Sequence, residues 1–166
     1  SYIIFPCHRP PSALETMSLN TPVAPGEFLD KLTILEIKAE RMQSAAKLLN
    51  VQYELELLRA IWSGSPYGTA DLGNLVRELK MINETLWEIE DKIRLKEAAH
   101  AFDAEFIELA RSVYLINDRR AAVKRHINVL LDSKLVEEKS YADYGMSAPQ
   151  PETDVHQAKV LNRPAG

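Results

Sequence analysis

Seven apolar residues, Leu72, Leu75, Leu79, Ile82, Leu86, Ile89 and Ile93, succeed one another at alternating steps of three and four without a miss. On an α-helix that spacing draws one continuous stripe, whereas on a strand it would scatter the same residues over both faces. A second run, Phe102, Phe106, Leu109, Val113, Ile116, Val123, Ile127 and Leu130, repeats the pattern and is interrupted only at Arg120. Two seamed helices joined by a short link are expected to pack antiparallel at a shallow angle. Each should span roughly 35–45 Å at ~1.5 Å per residue.

Two further helices are expected upstream. The first starts near Pro25-Gly26-Glu27, with Glu27 and Asp30 in its first turn, where carboxylates favour the helix dipole, and runs to about Gln43. Phe28, Leu32, Leu35, Ala39 and Met42 share one face, while Leu29, Ile34 and Ile37 lie elsewhere around the wheel. A helix apolar on several sides belongs at the centre of a bundle, with neighbours on more than one face. The second runs from about Leu48 to Trp62 through Val51, Leu55 and Leu58, and Ser63-Gly64-Ser65-Pro66-Tyr67-Gly68 ends it. A last short helix is expected over about Lys134 to Tyr144, between Ser133 and Gly145. The predicted fold is all-α: an antiparallel bundle of about four main helices plus that short C-terminal helix. The bundle occupies 25–145, between an irregular Pro-bearing arm over 1–24 and a disordered tail over 146–166.

The chain has 166 residues, 27% of them charged, and a net charge of −4. One core of useful size can be buried at this length without a metal or disulfide. Cys7 is the single cysteine, so no intramolecular disulfide can form, and a reducing, cytoplasmic setting is expected. The acidic balance argues against a nucleic-acid surface, and no stretch approaches the ~20 apolar residues of a membrane span.

Polar residues beside the seams are the candidates for function. Asn83, Trp87, Glu90, Arg94 and Glu97 form a second stripe next to the first long seam. Tyr114, Asn117, Lys124 and Asn128 do the same beside the other, with Glu108 and Arg111 nearby. Lys31 and Lys38 lie seven apart on the first helix, with Glu36 on its flank. If these stripes converge, cationic and amide groups would hold an anionic group and a glutamate would accept a proton or cation. The competing reading is an ordinary solvated face, because Glu88/Lys92 and Glu90/Arg94 are i,i+4 pairs found on any exposed helix.

Sharper motifs are incomplete. Glu97-Ala98-Ala99-His100 has the Glu-x-x-His spacing of dimetal bundles, but those need it twice. Arg120 and His126 are spaced as in some helical ribonucleases, without a polar neighbour after the arginine. There is no Gly-rich phosphate loop, nucleophile elbow or Cys/His zinc pattern. No metal and no cofactor is expected.

The run Pro25-Gly26-Glu27-Phe28-Leu29-Asp30-Lys31-Leu32-Thr33-Ile34-Leu35-Glu36-Ile37-Lys38 resembles the opening signature of a bacterial family classed as a domain of unknown function. So do 82–94, 105–114 with Asn117-Asp118, and 137–144, so the resemblance spans about 20 to 145. It implies membership of that family and a setting in surface-polysaccharide synthesis. Family members begin just before the Pro-Gly-Glu run, which implies that 1–16 is an upstream extension.

The leading functional expectation is a binding or assembly module for a partner protein or an anionic small molecule, with a homodimer as a further expectation. The alternative is a small helical enzyme, such as a lyase, mutase or transferase, acting on an anionic metabolite through interhelical Lys, Arg and Glu residues. The alternative needs Lys31 or Lys38, Glu90, Arg94, Arg111 and Lys124 to meet in one closed cavity.

Overall fold

The structure, a computed structural model, describes residues 19–135. It contains four helices: α1 (Pro25–Arg41), α2 (Ala45–Gly64), α3 (Leu75–Ala98) and α4 (Ala104–Leu130). The described residues form no strand. The expected helix over 134–144 lies almost wholly outside them.

The helices form two hairpins, α1–α2 and α3–α4. The backbone of α1 approaches all three other helices, whereas that of α2 approaches α1 alone. The several-sided apolar pattern of α1 is thereby explained. Leu32 and Leu35, with Phe28, Ala39 and Met42 beside them, pack on Val51 and Leu55 of α2. On another side Leu29 joins Leu79, Ile82, Leu86, Val123 and Ile127 in the core shared with α3 and α4. Leu79 and Ile127 are completely buried, each contributing roughly 1.5–3 kcal/mol of transfer free energy.

The start of α1 shows why this chain opens on Pro-Gly-Glu. Pro25 stands where a helix leaves an amide unpaired, and the preceding Ala24 has no side chain to cap the turn. The cap comes instead from α4: the Gly26 N–H donates to Asn128 Oδ1 at 2.7 Å. The helices meet so closely here that a Cβ on Gly26 would lie 2.5 Å from the Lys124 carbonyl oxygen. At the other hairpin, Asp103 caps α4 by accepting from Phe106 N at 3.0 Å, and Lys96 from α3 pairs with Asp103 and Glu105.

The long seam on α4 is less covered than its spacing predicts. Val123 and Ile127 are buried, but Phe106, Leu109, Val113 and Ile116 are half-buried and Phe102 and Leu130 are exposed. The reason is length. α1 has 17 residues against 27 in α4, about 25 Å against 40 Å, so part of the α3–α4 hairpin projects past it. Seam residues there have one neighbouring helix instead of two.

A candidate binding groove and its ionic floor

Where α1 crosses α3 and α4, five polar residues are buried: Asp30 and Thr33 from α1, Asn83 from α3, and Lys124 and Asn128 from α4. The side-chain ammonium of Lys124 pairs with Glu27 and lies 3.9 Å from Asp30 Oδ2. Arg120, one turn earlier on α4, approaches the same oxygen at 3.8 Å. The other Asp30 oxygen accepts from Asn83 Nδ2 at 2.8 Å. Two cations thus face two carboxylates, which makes the burial of Asp30 and Lys124 tolerable. Arg120, Lys124 and Asn128 stand at steps of four, one row of α4 turned toward α1.

The orientation of the Asn83 amide follows from its partners. Nδ2 donates to Asp30 Oδ1 and to Thr33 Oγ1, at 3.0 Å. The Thr33 hydroxyl spends its hydrogen on the Asp30 carbonyl, at 2.9 Å, and so can only accept from Asn83. Turning the amide over would set its oxygen against a carboxylate. Oδ1 is consequently left buried with no hydrogen-bond partner among the described residues. Nearly every buried acceptor is hydrogen-bonded to protein or water, and no described protein group serves this one.

Asn83 and Arg120 also line a groove of about 260 Å³ beside this network. Ile34, Ile37 and Leu86 supply apolar surface, Trp87 a flat aromatic wall, and Glu90, Asp91 and Arg94 a charged border. Arg94 is 76% exposed and holds Glu90 only at 3.4 Å. Arg120 is the one residue of the ionic network, apart from Asn83, that borders the groove.

Of the residues singled out by spacing, Asn83, Lys124 and Asn128 come together in the buried network, and Glu90 and Arg94 stand at the groove that adjoins it. The others lie elsewhere. Lys31 is exposed and pairs with Glu54 of α2 at 2.7 Å. Glu36 pairs with Arg59 at 2.8 Å and with Lys80 at 3.8 Å. Lys80, held chiefly by a hydrogen bond to Glu40, has its pKa raised above the ordinary lysine value. Lys38 and Asn117 are half-buried. Glu108 and Arg111 form an exposed pair on α4 at 3.5 Å, and the hydrogen bond between Arg111 and Tyr114 raises the pKa of the guanidinium further. The cations required by the enzyme reading therefore do not meet in a closed cavity. Among the described residues no cluster of His, Cys, Asp and Glu is arranged to hold a metal ion, and no helix is long and apolar enough to cross a membrane.

The polar stripes beside the seams did not include Asp30, Thr33 or Arg120. The signal for Arg120 was its place in an apolar seam, where a cation demands a buried counter-ion. Asp30 could have been that counter-ion, since it lies on a helix that is apolar on several sides.

These features define a class: an all-α domain of two helical hairpins pinned together by a buried ionic network. The chain belongs to a family of unknown function, DUF6165, whose model matches residues 19–159. No curated protein and no solved structure matches it.

Proposed function

We propose that this protein is a binding module, and that the groove between α1, α3 and α4 receives an anionic small molecule. The observation that carries this reading is the position of Arg120. It is anchored at the edge of a buried network by a contact too long for a hydrogen bond, and it faces a groove with a second guanidinium, Arg94, on the border. Two guanidiniums, set among apolar and aromatic surface with Glu90 and Asp91 at the border, can orient a small anion against apolar walls. Arg120 can turn from Asp30 toward a ligand without stranding that carboxylate, because Asn83 and Lys124 remain beside it. The sequence resemblance carries this reading to bacterial envelope-glycan synthesis as its setting.

The test is a titration of the native protein with a panel of carboxylates and phosphate monoesters, followed by heteronuclear NMR. Saturable shifts at the groove are expected, weakened about tenfold or more in R94Q and R120Q but not in K31Q, which lies outside it. If no member of the panel binds, or if R94Q and R120Q bind as the native protein does, the reading fails.

A further inference from the structure

We infer that the ligand of this groove is a hydroxylated ring acid, the class to which sugar acids belong, with a hydroxyl donating to Asn83 Oδ1. The inference rests on the anion-binding reading above and adds to it what else the ligand must carry.

The argument begins with the unmatched oxygen. Asn83 is 5% exposed, its Nδ2 is committed to α1, and its Oδ1 accepts from none of the described residues. Within the groove lining, Glu90 and Asp91 are acceptors as well, so a molecule that fits must bring donors. Two kinds of donor are available to a small acid, a hydroxyl and an ammonium. The neighbours of Asn83 select the first. Lys124 and Arg120 already flank Asp30, so an ammonium brought to the depth of Oδ1 would be a buried cation without a carboxylate of its own. A hydroxyl is neutral and carries no such cost. Trp87 then favours a ring: the hydrogens on one face of a saturated ring pack on an indole while its edge presents hydroxyls.

Access to Oδ1 is linked to the acid group. The oxygen is covered, and Arg120, which also lines the groove, stands 3.8 Å from Asp30, outside hydrogen-bond range. An acid that draws Arg120 from Asp30 and a hydroxyl that reaches Asn83 act within this one groove. Acid and hydroxyl are required together, so neither a simple anion nor a neutral sugar binds as well as a molecule with both.

Asn83 also ties α3 to α1, so the ligand is the better place to vary the chemistry. Binding of glucuronic acid, glucose, acetate and glutamate to the native protein would be compared by calorimetry and by the fluorescence of Trp87, with W87L as reference for Trp62. Glucuronic acid is expected to bind at least tenfold tighter than acetate and glucose, and W87L, shown folded by circular dichroism, to lose that advantage over acetate. If acetate matches glucuronic acid, the hydroxyl requirement is wrong while anion binding stands. If glucose matches it, the acid is dispensable and both readings fall. Preference for glutamate would replace the hydroxyl with an ammonium and overturn this inference alone. Undiminished selectivity in W87L would overturn the ring placement, and silence from all four probes would remove this inference, while the anion-binding reading falls only if the phosphate monoesters are silent too.

Discussion

Gly26→Ala tests the junction that the rest of the structure depends on. A methyl group there would stand 2.5 Å from the Lys124 carbonyl oxygen and 3.0 Å from Asn128 Oδ1. The first neighbour is helix backbone and cannot turn aside as a side chain would, so α1 and α4 must move apart. Overpacking of this kind costs about 1–3 kcal/mol. The separation also stretches the 2.7 Å bond from Gly26 N–H to Asn128, worth about 1 kcal/mol more. Against this, alanine recovers at most about 1 kcal/mol of helix propensity. The net expectation is a loss of about 1–3 kcal/mol in urea unfolding followed by circular dichroism. Gly64→Ala provides the contrast, because no atom lies within 4 Å of the added Cβ at the end of α2. There the same exchange is expected to be neutral or to stabilise by up to about 1 kcal/mol. If G26A is as stable as the native protein, or if the two variants fall together, the close approach of α1 and α4 is not what requires glycine at 26.

Two other perturbations probe the electrostatics. Lys124→Met removes the buried cation between Glu27 and Asp30, and breaking a buried pair from one side costs about 3–5 kcal/mol. Since Arg120 still faces Asp30, a loss near the lower end is expected by urea titration, and a loss under about 1 kcal/mol would show that the network is solvated. Asp103 is held below the usual carboxylate range, first by the Lys96 ammonium and then by the Phe106 N–H. Its folded pKa is thus lower than its unfolded one, so its contribution is complete above the unfolded value and is lost as pH falls through the folded value. D103N should therefore be less stable than the native protein at neutral pH, with the gap in thermal midpoint closing in acid. A gap that stays constant with pH would assign the role of Asp103 to shape and not to charge.

Much of the architecture can be read from spacing because burial is periodic. The seam from Leu72 to Leu86 and the face of α1 holding Phe28, Leu32, Leu35, Ala39 and Met42 lie in or against cores, as a stripe on a helix must when a neighbour covers it. The several-sided α1 also implied its central place, since apolar residues around a whole helix need partners all round. These are one-dimensional properties, and the chain carries them before it folds. What the periodicity does not contain is which neighbour arrives, and how far along. Leu109 and Val113 repeat the same rhythm as Val123 and Ile127, yet α1 is too short to cover them.

The groove belongs to the second category. Asn83, Glu90 and Arg94 stood out on α3 alone, but Asp30 and Arg120 acquire their roles only when residues far apart in the chain meet across three helices. The orphaned oxygen of Asn83 is a tertiary fact in the same sense. A side chain has both a donor and an acceptor wherever it stands in a sequence, and only the packed neighbours decide that one is satisfied and the other is not.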